Sequence, residues 1–99
     1  MSEVYKVLLV DDEKLITQSV EKLIRMSEKR LEVVGTAANG EAALALLGET
    51  HADIVLVDIR MPRMDGIEFL RQVRERGIDT KVIVLSAYRD FEYAQQALN

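Results

Sequence analysis

The chain has 99 residues, room for one domain over residues 1–99 with a single ordinary core. With 48% hydrophobic and 30% charged residues it reads as globular rather than disordered, and the absence of cysteine excludes disulfides, thiolate zinc sites and a cysteine nucleophile. A formal net charge of −4, from 13 basic and 17 acidic residues, argues against direct nucleic-acid binding by this chain.

The first apolar run is Val7–Val10, four residues between Lys6 and Asp11. It is too short for a signal peptide or a membrane span and fits a buried strand. Ile16, Val20, Leu23 and Ile24 follow at i, i+4, i+7 and i+8, with Gln18, Glu21, Lys22 and Arg25 largely opposite, which predicts an amphipathic helix with those four inward. Leu31–Gly35 reads as a second strand. Asn39-Gly40-Glu41 can start a second helix carrying Ala43, Leu46 and Leu47, with Gly48 closing it as a C-terminal cap. Ile54–Val57 is the third strand. Asp65-Gly66-Ile67-Glu68 has capping-box spacing, opening a helix with Ile67, Leu70 and Val73 inward and Gly77 at its end. Val82–Leu85 is a fourth strand, and Asp90 with Phe91, Ala94, Ala97 and Leu98 suggests a fourth helix. The order β-α-β-α-β-α-β-α predicts an α/β fold: a parallel sheet, doubly wound, with helices on both faces. In such sheets the ligand site lies at the carboxyl ends of the strands, near the switch in strand order.

Three aspartates sit where that rule points. Asp11 and Asp12 directly follow the first strand and Asp58 directly follows the third. One aspartate after a strand is usually a turn residue or a helix cap. An adjacent pair, a third aspartate and a hydroxyl, Ser86, on three strand ends are harder to explain that way. If the first and third strands are neighbours the carboxylates converge, and two such charges about 4 Å apart repel by several kcal/mol at an effective dielectric near 20. A hard cation would relieve that repulsion, and oxygen-only ligands favour Mg²⁺. An aspartate can also serve as a nucleophile and form an acyl phosphate. His51, before the third strand and at the opposite end from the acids, reads as a surface residue. Met61 and Met64 read as loop packing, and Lys14, Arg60, Arg63 and Arg89 as solvated loop charges.

The stretches Val7-Leu8-Leu9-Val10-Asp11-Asp12-Glu13, Asp53 to Gly66 with its Met61-Pro62-Arg63-Met64-Asp65-Gly66 loop, and Val82-Ile83-Val84-Leu85-Ser86-Ala87-Tyr88 closely resemble the receiver family of bacterial two-component response regulators. The resemblance runs across nearly the whole chain. It implies a flavodoxin-like sheet in the order 2-1-3-4, a cytoplasmic setting, and a phosphoacceptor module rather than an enzyme acting on a separate substrate. Asp58 would take a phosphoryl group from a phosphohistidine on a sensor histidine kinase. Asp12 would be the main carboxylate ligand of Mg²⁺, Asp11 would help directly or through water, and Asp58 and the backbone carbonyl of Arg60 would complete the ligands. Ser86 would be the switch hydroxyl, and Ala87 would leave access. Arg60 and Tyr88 would influence the lifetime of the phosphoryl group, while Pro62 and Gly66 would shape the loop that delivers Asp58. The segment Leu85 to Ala94 is similar to receivers attached to AraC-type DNA-binding regions, which implies transcriptional control by the parent protein.

Against that family pattern the chain ends at Asn99, before the usual fifth strand, its lysine and the fifth helix. The expectation is an incomplete receiver with impaired switching and an exposed Val82–Leu85 edge. Such an edge favours self-association, there or through the helical face. A competing reading keeps the chain as a structural or oligomerising module only. An aspartate-nucleophile phosphohydrolase of the haloacid dehalogenase type would need D-x-D after the first strand, where this chain has Asp11-Asp12-Glu13. Flavin binding fares no better, since three acids repel a phosphate unless a metal intervenes.

Overall fold

The computed structural model describes residues 4–27, 30–59, 61 and 63–85. The helix expected after Asp90 lies outside them. Within them the chain runs β1 (Tyr5–Val10), α1 (Lys14–Met26), β2 (Leu31–Ala37), α2 (Gly40–Glu49), β3 (Ile54–Asp58), α3 (Gly66–Glu75) and β4 (Lys81–Leu85). The four strands form one sheet in the order β2-β1-β3-β4, every neighbouring pair parallel. The doubly wound α/β expectation and its 2-1-3-4 order therefore hold for the described residues.

Alternation along the strands sorts the side chains by face. Leu8, Val10, Val55 and Val57 point to one side and join Ala37, Ala43, Leu44, Ala52, Phe69 and Val73 in the main core, with Val82 and Val84 packed against it. These positions draw on all four strands, α2 and α3, so the two later helices cover this face. Fully burying a side chain of the size of Val, Leu or Phe stabilises by about 1.5–3 kcal/mol, which makes this layer the dominant stabilising feature. Val7 and Leu9 are buried on the other side. There Leu9, Leu56 and Leu85 line a shallow recess with Ile16, Thr17 and Val20 of α1.

The helix ends follow local chemistry. Asn39 Oδ1 accepts from the Ala42 N–H at 2.8 Å and Asp65 Oδ1 accepts from the Glu68 N–H at 2.8 Å, so both sequence-predicted caps form. The side chain of Glu68 binds Arg71 at 2.7 Å and Gln72 at 3.1 Å. Gly77 closes α3 in the left-handed region at φ 66°.

Three expectations need correction. Gly48 does not end α2: the helix runs to Glu49 and closes at Thr50, whose N–H reaches the Leu46 carbonyl at 2.8 Å. A glycine is required only where φ turns positive, and here the chain leaves the helix through an extended residue, at φ −137°. The α1 stripe is less inward than its spacing implies, since Ile16 and Leu23 remain 43% and 67% exposed while Val20 and Ile24 are half-buried. Spacing fixes which side chains share a face of the helix, while their burial depends on what packs against that face. Asp58, finally, is the last residue of β3 rather than the residue after it.

Candidate functional site

β1 and β3 lie side by side at the centre of the sheet, with Val10 opposite Val57. Their carboxyl ends therefore emerge together, and with them Asp11, Asp12 and Asp58. One carboxylate oxygen from each lies within 4.8 Å of the other two. Asp12 is exposed, and Asp11 and Asp58 are half-buried. Three like charges so placed favour a positive counter-charge in their midst. All three donors are hard oxygens, so the residues fit a small hard divalent cation better than a soft one.

Asp11 and Asp58 are positioned by their surroundings. The Asp11 N–H donates to the Ala37 carbonyl at 3.0 Å, fixing the β1 exit against the end of β2. Asp11 Oδ1 accepts from the Glu13 N–H at 2.9 Å, a local turn that carries the chain into α1. Asp58 is held from below by strand pairing, in register with Leu85 of β4, and from the side by α3. The Gly66 N–H donates to the Ile59 carbonyl at 2.8 Å. A Cβ built at Gly66 would overlap the Asp58 carbonyl oxygen and reach the Asp58 carbonyl carbon and Ile59 Cα at 3.0 Å each. Only glycine allows the first turn of α3 to sit directly on the backbone of Asp58.

The loop between Ile59 and Gly66 is also fastened by its methionines, both of which pack against the main core. Arg63 adopts φ 68°, uncommon for a residue with a Cβ, and its guanidinium lies 3.8 Å from Glu41 of α2 at the surface. Of the residues named from the sequence, Asp11, Asp12 and Asp58 are brought together. Ser86, Ala87, Tyr88, Arg60 and Pro62 lie outside the described residues.

At the opposite end of the sheet the sequence reading passed over Asp53. Its Oδ2 accepts from the Lys6 N–H at 2.7 Å, its own N–H donates to the Lys6 carbonyl at 2.8 Å, and its carbonyl accepts from the Lys81 N–H at 3.0 Å. His51 Nε2 sits 2.9 Å from Asp53 Oδ1. This one residue joins β1, β3 and β4 where they begin. The Lys6 amide first, and His51 second, hold its carboxyl below the ordinary aspartate value. The available signal was an aspartate placed just before an apolar strand, where an unpaired amide of the neighbouring strand needs an acceptor.

The family model described as the response regulator receiver domain matches residues 7–99. A response regulatory protein of Staphylococcus epidermidis is 36% identical over 94 residues, which is 95% of this chain and 37% of that protein. The transcriptional regulatory protein HptR of Staphylococcus aureus is 34% identical over 95% of this chain and 36% of its own length. The chain thus spans well under half of these relatives. Among solved structures, the REC domain of AraT, a response regulator from Geobacillus stearothermophilus, superposes with a TM-score of 0.84 at 38% identity, over 97% of this chain and 74% of that one. The response regulator domain of Thermotoga maritima CheB gives 0.81 at 30% identity, over 96% and 73%.

Proposed function

The chain belongs to the response regulator receiver domain family, and we propose that Asp58 is its phosphoacceptor, charged by a sensor histidine kinase with the help of Mg²⁺. The observation that carries this reading is the convergence of three carboxylate oxygens within 4.8 Å at the carboxyl ends of the two central strands. Asp58 has the half-buried, backbone-fixed position that suits a nucleophile, and its carboxylate lies within 4.8 Å of that of the exposed Asp12. In the transfer, a carboxylate oxygen of Asp58 forms a bond to phosphorus while the P–N bond of a phosphohistidine breaks. The electron pair of that bond stays on the imidazole, which takes up a proton.

Asp11 and Asp12, with Asp58 and the backbone carbonyl of Arg60, are the residues that would hold Mg²⁺. The ion supplies neutralisation of the charge that accumulates on the transferring group. Ser86 is assigned the role of a hydroxyl donor to the phosphoryl oxygens. The same centre, with a water in place of the kinase histidine, would serve the slow loss of the phosphoryl group.

No helix among the described residues is long and apolar enough to cross a membrane, and we assign the module to the cytoplasm, where kinase and phosphodonor meet. The names of the relatives favour a parent protein that regulates transcription. Self-association is supported by Ile83 and Leu85, 41% and 40% exposed on β4, which is outermost among the described strands, and by the uncovered apolar face of α1.

The test is intact-mass spectrometry after incubation with acetyl phosphate and Mg²⁺. One added phosphoryl group is expected, absent without Mg²⁺ and absent in Asp58→Asn. A folded protein that gains no mass, or an Asp58→Asn variant that still does, would overturn the assignment.

A further inference from the structure

The N-terminus of α2 touches the loop that follows the acceptor, and the contact is made through a missing side chain. Gly40 is the first residue of α2 and is buried; its N–H donates to the Met64 carbonyl at 3.2 Å. A Cβ built at Gly40 would come within 2.7 Å of Met64 Cγ, 2.8 Å of Met64 Cβ and 2.9 Å of the Met64 carbonyl oxygen. One of those three atoms is backbone and one is the fixed root of a side chain, so a methyl group could be accommodated only by moving the loop.

Two residues further on, Gly66 rests on the Asp58 carbonyl and binds Ile59. The loop is thereby fastened at two points, to the backbone of the acceptor and to the start of α2. Just before them Arg63 is held in the left-handed region, a conformation that persists only where the surroundings impose it. Asn39 caps α2 immediately before Gly40, which fixes the angle at which the helix meets the loop.

We propose that Gly40 is a positioning residue for phosphoryl transfer: by letting α2 close onto Met64, it sets the placement of the loop and, through Gly66, the placement of Asp58. The inference rests on Asp58 being the phosphoacceptor. It adds that the arrival of the phosphoryl group and the position of α2 are mechanically linked, since whatever shifts the Asp58 backbone must also disturb the Gly40–Met64 contact. The link is contiguous, running by contact from Asp58 to Gly66, along the chain through Asp65 to Met64, and by contact on to Gly40.

The experiment compares phosphorylation rates by acetyl phosphate, at saturating Mg²⁺, in Gly40→Ala, Met64→Ala, the double variant and Gly48→Ala, with folding checked by circular dichroism. An ångström of misplacement at a reacting centre can cost about a hundredfold, so a shift of part of that should slow Gly40→Ala by about tenfold. Met64→Ala, which loosens the same fastening without adding bulk, should also be slower than wild type. The double variant should be faster than Gly40→Ala alone, because the overlap with Cγ is gone. Gly48 has nothing within 4 Å of a built Cβ, so Gly48→Ala should keep the wild-type rate. If Gly40→Ala proves unfolded, Met64→Ala and its rate decide the matter. Wild-type rates in folded Gly40→Ala or in Met64→Ala would overturn the proposal while leaving Asp58 as acceptor. A wild-type protein that is itself not phosphorylated would instead overturn the acceptor assignment.

Discussion

Replacing Asp12 by asparagine should make the metal-free protein more stable and the magnesium-loaded protein comparatively less so. Asp12 contributes one of three carboxylate oxygens lying within 4.8 Å of one another. At that separation two unit charges repel by about 0.9 kcal/mol in a water-like dielectric and by about 3.5 kcal/mol at an effective dielectric of 20. Asp12 is exposed, which places its two repulsions near the lower figure, and added salt screens them further. Neutralising it should therefore stabilise the metal-free fold by about 1–2 kcal/mol. For a domain this small, each kcal/mol moves Tm by about 4–8 °C. Mg²⁺ at a hundred times its Kd would add about 2.7 kcal/mol to the wild type, and most of that gain should vanish in Asp12→Asn. Thermal melts in a chelator and in excess Mg²⁺, at matched ionic strength, should show the two proteins exchanging rank. A variant that melts below the wild type in chelator, or a wild type indifferent to Mg²⁺, would refute the reasoning.

Gly66→Ala should cost about 1–3 kcal/mol in urea unfolding, since the atoms nearest the new methyl are backbone, and should also depress Asp58 phosphorylation. Phe69→Ala, fully buried in the main core, should cost about 3–5 kcal/mol, whereas Leu15→Ala in α1, where Leu15 is 77% exposed, should stay within about 0.5 kcal/mol. Because the carboxyl of Asp53 is held below its ordinary value when folded, the unfolded chain binds more protons in that interval. The stability it contributes is complete above the unfolded value near pH 4 and is lost as pH falls through the folded one. Acid titrations followed by circular dichroism should show a shallower loss in that window for Asp53→Asn.

Much of this architecture is legible in the sequence because the strands of a parallel sheet are written as short continuous apolar runs. Val7–Val10, Ile54–Val57 and Val82–Leu85 are uninterrupted apolar runs, and all three are strands of a parallel sheet. The caps Asn39 and Asp65 were equally readable, since one side-chain oxygen and the next free amides settle them locally. Leu23 was misread because helical spacing says which residues share a face, but not how much of that face finds a partner. Gly48 was misread because glycine only permits a left-handed exit and does not demand one. For the site, the three aspartates were legible as strand-end acids, but their approach depends on which strands are neighbours. Asp53 and the Gly40–Met64 contact were not legible at all. Each joins residues 24 or more positions apart and shows only when the strands and helices are assembled.

The irregular pairing between β1 and β2 bears on how copies of this module could assemble. Val7 pairs with Val33 but Leu8 pairs with Gly35, so β2 carries one surplus residue, Val34. An extra residue of this kind bends a strand and spoils the regular row of amides and carbonyls that an incoming strand would need. Of the two outer strands among the described residues, only β4 keeps unbroken register with its neighbour. A strand laid beside β2 would meet a bent row of amides and carbonyls rather than a regular one, so this side of the sheet is guarded against edge-to-edge pairing by its own backbone.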